Sequence, residues 1–214
     1  GRSTNTRRIG FESSIQWGYQ RRMNNLLIEA CITEKFGNSA NNAWNKNQNG
    51  FRRAAVLVPL VWREKEWHLL FTRRTDTLHD HKGQVSFPGG AAEENDLTPE
   101  TTALRETYEE IGIQPIDVYV LGWMKSMHTI TKYMITPVIG KIPWPVSLNI
   151  CHDEVLRVFT IPLNWLSDPS NREVRQLTIQ GYPDQLVIYF KEYDGELLWG
   201  ISAQIVVNLI QALK

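Results

Sequence analysis

The chain reads as an α/β/α sandwich built on a mixed sheet, with a helical extension ahead of it. Three observations predict this. Strand-like segments lie on both sides of one strongly capped helix between Thr98 and Gly112. A second helix with an apolar side closes the chain at 200–213. A chain of 214 residues can bury one sizeable core with extensions. Strands around a central helix, with a terminal helix to cover the other face, pack as layers about a mixed sheet.

Residues 1–12 form a lead-in. From Ile15 to Phe36, the residues Ile15, Tyr19, Met23, Leu26, Leu27, Ala30 and Cys31 recur at helical spacing. This is an amphipathic helix expected to pack on the domain. Residues 37–50, GNSANNAWNKNQNG, are rich in Asn and Gly and read as a loop. Trp44 inside it is either a packing anchor or an exposed contact. The extension is therefore 1–50 and the main domain 51–214.

Ala54–Trp62 and Trp67–Arg73 flank the charged turn Arg63-Glu64-Lys65-Glu66, a hairpin. Gln84–Phe87 is a short strand leading to Pro88-Gly89-Gly90, where the backbone can turn sharply. The central helix follows, with Thr98 as N-cap, Pro99 at its first position, Glu100 as an early acid and Gly112 as its stop. Ala103, Leu104, Thr107, Tyr108 and Ile111 form its mostly apolar side. Val118–Met127 and Tyr133–Ile142 read as strands around a loop, and Val155–Ile161 as another. Pro162–Leu166 starts a short helix. Val174–Gln180 and Gln185–Glu192 flank Gly181-Tyr182-Pro183-Asp184, a second hairpin. The closing helix carries Ile201, Ile205, Val206, Leu209 and Ile210 on its apolar side. There is no internal repeat.

Composition narrows the function classes. Lys plus Arg and Asp plus Glu both number 23, so no net basic charge advertises nucleic acid. No apolar run approaches a membrane span, and no signal peptide is expected. Cys31 and Cys151 have neither metal-type spacing nor a disulfide framework. They fit a reducing compartment, and the expected location is cytoplasmic. The chain begins with Gly, so a processed or trimmed N-terminus is expected and an organellar address stays open.

The informative stretch is Arg105-Glu106-x-x-Glu109-Glu110-x-Gly112-Ile113. A helix advances about 100° and 1.5 Å per residue. Glu106, Glu109 and Glu110 therefore share one face within a turn. Such carboxylates repel one another unless cations neutralise them. Hard divalent cations take oxygen ligands, keep several waters and bridge to substrate phosphates. The pattern looks like a metal site for phosphate chemistry. A merely solvated acidic face would not need the sharp turn, the caps and the apolar side around it.

These residues resemble the box of the Nudix hydrolase family. That pattern is Gly, five residues, Glu, seven residues, then Arg-Glu-aliphatic-x-Glu-Glu-x-Gly-aliphatic. Here Gly90 is followed after five residues by Asp96, and after eight more by Arg105. The acid is Asp rather than Glu, the loop is one residue longer, and Thr107 fills the aliphatic position. Upstream, the chain is similar to the coenzyme A pyrophosphatase branch. That signature is Leu-Leu-Thr-x-Arg-Ser/Ala-x3-Arg-x3-Gly-x3-Phe-Pro-Gly-Gly. The chain matches it with Thr72, Arg74, Gly83 and Phe87-Pro88-Gly89-Gly90, but has Thr75 and His79 at two motif positions. The two matches cover residues 69–113 closely.

The resemblance implies the Nudix fold and a metal-dependent hydrolase. Mg²⁺ or Mn²⁺ would be held by Glu106, Glu109 and Glu110, with the Gly90 carbonyl as a further ligand. Arg105 joins the catalytic set by its motif position. Asp96 is expected to pair with Arg105 and tie the loop to the helix. Glu154, in a loop outside the box, is a further acid candidate; the alternative is an exposed acid capping the next strand. Arg74, His79 and Gly89 are the substrate-binding candidates. The implied substrate is coenzyme A or an acyl-CoA, cleaved to 3′,5′-ADP and (acyl-)4′-phosphopantetheine. The alternatives are another nucleoside diphosphate derivative, such as ADP-ribose, a dinucleotide or a damaged nucleoside triphosphate, or a Nudix-like module that binds without turnover. The expected partner is a small nucleotide, not nucleic acid or membrane, and a homodimer remains open.

Overall fold

The computed structural model describes residues 27–37, 44, 50–75, 83–178 and 182–214. The first part, 15–26, of the helix expected from Ile15 to Phe36 lies outside the described residues, as do His79 and the Gly181 turn position.

In chain order, a helix over 27–36 (α1) precedes strands Arg52–Arg63 (β1), Glu66–Arg74 (β2), Val85–Ser86 (β3) and Gly89–Ala91 (β4). Helix Pro99–Ile111 (α2) follows, then Tyr119–Trp123 (β5), Met127–His128 (β6), Tyr133–Ile142 (β7) and Val155–Pro162 (β8). The chain continues through the short helix Leu163–Ser167 (α3), the strands Arg172–Leu177 (β9) and Gln185–Phe190 (β10), and helix Gly200–Ala212 (α4). β9 and β10 pair as a separate two-stranded ribbon.

β1 is the spine of the large sheet. It runs parallel to β7 through ten pairs, from Arg52 opposite Tyr133 to Val61 opposite Ile142. Its other contacts, to β2 and β4, are antiparallel, so the sheet is mixed as expected. The β1–β2 turn is tighter than the sequence suggests. Glu64 and Lys65 alone span it, with φ of 53° and 73°. Both lie in the left-handed region that a two-residue hairpin turn demands. The strand expected over 118–127 is interrupted: β5 carries an irregularity between Val120 and Gly122 and ends at Trp123, and β6 forms separately. The Gly122 backbone packs against that of Phe36, where a side chain has no room.

Strand alternation sends side chains to two cores. Val58, Leu60, Leu69, Phe71 and Ile139 face a cluster shared with Ile32 of α1 and Ile205, Val206, Leu209 and Ile210 of α4. Ala55, Leu57, Leu70, Val138 and Ile142 face the opposite cluster, completed by Ala103 and Ile111 of α2. Helices thus cover both faces, which is the expected α/β/α layering. Trp44 is settled as an anchor: it packs on the α2-side cluster and its indole N–H donates to the Asp96 carbonyl at 3.1 Å. Among the described residues, no helix is long and apolar enough to cross a membrane.

Candidate active site

The sheet forks where β2 leaves β1. The two strands pair only over Leu60–Arg63 and Glu66–Leu69. Further along, the edge of β1 is taken by β4, with Ala55 opposite Gly90 and Val56 opposite Gly89. β2 continues beside β8 and ends at Arg74. α2 packs across β1 and β4. The Gly89–Gly90 backbone therefore lies directly beneath the glutamate-bearing side of that helix.

Local chemistry fixes α2 in place. Thr98 caps its start by accepting from the Thr101 N–H, with Pro99 in the first turn. Gly112 ends it at φ 75°, donating its N–H to the Tyr108 carbonyl. Thr107 is fully buried where the family pattern has an aliphatic residue, and its hydroxyl donates to the Ala103 carbonyl at 2.6 Å. Its one polar group is thus satisfied within the helix, so the site tolerates Thr.

The three glutamates have unequal surroundings, which corrects the simple picture of one acidic face opposite one apolar face. The Glu110 side chain is 5% exposed, Glu106 18% and Glu109 53%. Conversely, Tyr108, expected on the apolar side, is exposed. Glu110 accepts the Gly89 N–H at 3.3 Å and faces Arg74 Nη1 at 3.7 Å. Burial pushes its carboxyl up to about 8; Glu106 and Glu154 add to this against the pull of Arg74 and the Gly89 N–H. Burial also raises Glu106, opposed by Arg105 at 3.0 Å and assisted by Glu109 and Glu154. A Cβ on Gly90 would fall 2.5 Å from the Glu106 carboxylate, so only glycine leaves that space open.

Asp96 and Arg105 form a latch between loop and helix. Arg105 Nη2 donates to Asp96 Oδ2 at 2.9 Å and to the Ala91 carbonyl at 3.0 Å. The Glu93 N–H and the Thr102 hydroxyl also donate to Asp96 Oδ2, at 2.9 and 3.0 Å. Burial alone would raise the Asp96 carboxyl, but these donors and the Arg105 charge outweigh it and hold the group below the usual range. Arg105 Nη1 also reaches Glu109 at 2.8 Å, one helical turn on.

Glu154 reaches the same place from a distant loop. The Asn149 and Cys151 N–H groups donate to the Ile111 and Glu110 carbonyls, both at 2.9 Å. They satisfy carbonyls that the helix end would otherwise leave open. The Thr75 N–H donates to the Glu154 carbonyl at 3.0 Å, and its hydroxyl to the Asp153 carbonyl at 3.1 Å. So bound, the loop holds the exposed Glu154 close enough to raise both Glu106 and Glu110. Arg74, the expected phosphate-facing residue, lies at the same fork and faces Glu110. No local sequence signal links positions 74 and 110, and Thr75 as the anchor of the Glu154 loop was equally hidden. His79 lies outside the described residues.

Among the described residues, no three acidic, imidazole or thiol groups close into a metal cage. The arrangement is an open one: carboxylate oxygens above, the Gly90 backbone below, and two arginines compensating part of the charge. An all-oxygen set with a desolvated carboxyl pair suits a hard divalent cation that completes its shell with water and substrate oxygens.

Comparison with known proteins agrees with this architecture. Residues 51–179, more than half of the chain, match the family model described as NUDIX domain. A protein of Photorhabdus laumondii named "Uncharacterized Nudix hydrolase NudL" is 37% identical over 163 residues, covering 76% of this chain and 86% of its own. Its namesake in Yersinia pestis (strain Pestoides F) is 37% identical over 163 residues, covering 76% of this chain and 80% of its own. A solved MutT/nudix family protein from Enterococcus faecalis overlaps 83% of this chain and 71% of its own, at 14% identity and a TM-score of 0.48, too loosely to bear on function. The family match and the two relatives carry the assignment: the chain belongs to the Nudix hydrolases, enzymes that act on pyrophosphate bonds.

Proposed function

We propose that this enzyme cleaves the pyrophosphate bond of coenzyme A or its thioesters, giving 3′,5′-ADP and (acyl-)4′-phosphopantetheine. The observation that carries the reading is the junction of two features at the fork. The upstream signature from Thr72 to Gly90 resembles the coenzyme A branch, and its Gly89-Gly90 end lies against Glu106 and Glu110. Glu106, Glu109, Glu110 and the Gly90 carbonyl would hold Mg²⁺ or Mn²⁺. Such a cation supplies charge neutralisation on the diphosphate and Lewis acidity at its phosphorus. The remaining work belongs to the chain. A carboxylate of this acidic cluster takes the proton of the attacking water, and the Glu154 charge lies close enough to act on Glu106 and Glu110. Arg105 and Asp96 fix the helix against the loop, and Arg74 compensates Glu110. We assign residues 51–214 as the catalytic unit, with 1–50 as an extension anchored through Ile32 and Trp44.

His79 in place of the second signature arginine favours a second reading, the same chemistry on another nucleoside diphosphate derivative. Neutral imidazole binds phosphate more weakly than guanidinium. Cys31 and Cys151 are free thiols, which supports a reducing compartment such as the cytosol. The test is product analysis by mass. The purified protein is incubated with coenzyme A, ADP-ribose and a dinucleotide, with Mg²⁺ or Mn²⁺. Faster release of 3′,5′-ADP and phosphopantetheine than of the other products is the expected result. Turnover of ADP-ribose or the dinucleotide alone would discard the coenzyme A assignment.

A further inference from the structure

A cavity of about 450 Å³ lies at the end of β2, lined by Arg73, Gln84, Glu196, Trp199 and the backbone of Gly83 and Gly195. The β2–β8 register breaks between Arg73 and Arg74, and the two side chains take different partners. Arg74 meets Glu110 at the fork, while Arg73 meets Glu196 in the cavity, 3.6 Å away. The Arg74 N–H donates to the Gln84 carbonyl at 3.1 Å. The ends of β2 and β3 thus form a wall shared by the cavity and the fork.

The cavity is built from fixed groups. The Glu196 side chain is 5% exposed and is held between Arg73 and Arg157, the latter at 3.2 Å. Its backbone exchanges two bonds of 3.0 Å with Tyr193 across the Asp194-Gly195 turn. Trp199 lies parallel to Tyr189, with centroids 5.3 Å apart and planes 5° apart, and the Arg175 guanidinium covers Tyr189 at 4.7 Å. Arg73 Nε is buried without an acceptor. These groups offer a pre-stacked aromatic rim, a buried carboxylate shared by Arg73 and Arg157, and an amide that both donates and accepts. An aliphatic ligand would use none of them.

We propose that this cavity is a base subsite that takes the amino-bearing, adenine-type heterocycle of the substrate, while its diphosphate lies at the fork. The inference rests on the proposed function. Gln84 and Glu196 would read the edge of the base, and Trp199 would stack on or against its ring, as aromatic side chains do with bases. Nothing in the box encodes this, because Glu196 and Trp199 lie about ninety residues beyond it.

The test measures binding of adenosine 5′-monophosphate and ribose 5-phosphate to the full chain by calorimetry without metal, alongside turnover of coenzyme A with Mn²⁺. Trp199→Leu should weaken adenosine 5′-monophosphate by about tenfold or more. Trp199→Phe should restore most of the affinity, and ribose 5-phosphate should bind weakly and equally to all forms. With coenzyme A, Trp199→Leu should raise KM more than it lowers kcat. If Trp199→Leu does not fold, Gln84→Ala provides the same comparison. Equal adenosine 5′-monophosphate affinity in wild type and variants would overturn the subsite, as would ribose 5-phosphate binding as tightly as the nucleotide. Loss of nucleotide binding in the variants, in a protein that cleaves no substrate, would uphold the subsite while removing the catalytic reading.

Discussion

Replacing Asp96 with Ala should unlatch the loop from the helix. The carboxylate is buried and accepts from Arg105, the Glu93 N–H and the Thr102 hydroxyl, each at 2.9–3.0 Å. Two neutral donors left without an acceptor cost about 1 kcal/mol each, and a charge-assisted bond about 2 kcal/mol. Arg105 keeps Glu106, Glu109 and the Ala91 carbonyl, so part of the last figure is recovered. A loss of about 3 kcal/mol follows, within the range for breaking a buried pair. For a chain of this size that is roughly 6–12 °C in Tm. Asp96→Asn keeps the shape and one acceptor oxygen and should lose about half as much. The pH dependence is also determined. The folded carboxyl titrates below the unfolded one, so its contribution is complete above an unfolded value of about 3.9 and disappears as pH falls through the lower folded value. Thermal melts of wild type and Asp96→Ala should therefore differ at pH 7 and converge in acid. A loss below about 1 kcal/mol at neutral pH, or a gap that persists unchanged in acid, would refute the latch.

Gly90→Ala places a methyl group against the Glu106 carboxylate; turnover should fall about a hundredfold, as for a misplaced reacting group, while the melting curve moves little. Glu154→Gln removes a like charge from beside Glu106 and Glu110, which lowers both carboxyls and weakens their pull on cations. The Mn²⁺ concentration for half-maximal turnover should rise about fivefold, read from a metal titration. His68 is buried with Nδ1 3.1 Å from the Thr160 hydroxyl, and burial, with Arg63 in support, lowers it below 6.5 against the pull of Glu66 and Glu64. Its contribution to stability is complete above 6.5 and lost as pH falls through the lower folded value. Melts at falling pH should show wild type losing more stability than His68→Phe over that window.

Where the fold follows local rules, the sequence already shows it. Thr98, Pro99 and Gly112 bound α2 because capping and left-handed termination are properties of those residues alone. Alternation along Leu57–Leu60 and Leu69–Phe71 separates the two cores because a strand has period two. The parallel pairing of β1 with β7, by contrast, joins segments about eighty residues apart, and no short-range pattern encodes it. The site divides along the same line. Glu106, Glu109 and Glu110 are legible as a cluster on one turn, and the Asp96–Arg105 pair follows from the family pattern. Their unequal burial is not legible, because it depends on how α2 sits over β4. Glu154 arrives mainly through backbone bonds from Cys151 to Glu110 and from Thr75 to Glu154, with the Thr75 hydroxyl on the Asp153 carbonyl beside them. The backbone bonds involve peptide groups, which every residue carries, and the partner of the Thr75 hydroxyl lies 78 positions away, so no local pattern encodes either. Arg74 turning onto Glu110 is likewise a consequence of where β2 ends.

In the proposed function, Glu106, Glu109 and Glu110 hold the cation on which hydrolysis depends. The most direct measurement is Mn²⁺ binding by electron paramagnetic resonance in wild type and in Glu106→Gln, Glu109→Gln and Glu110→Gln, with coenzyme A turnover followed in the same samples. Wild type should bind Mn²⁺, and each variant should show weakened binding and loss of turnover together. Full Mn²⁺ binding in all three variants, or turnover that survives them, would contradict it.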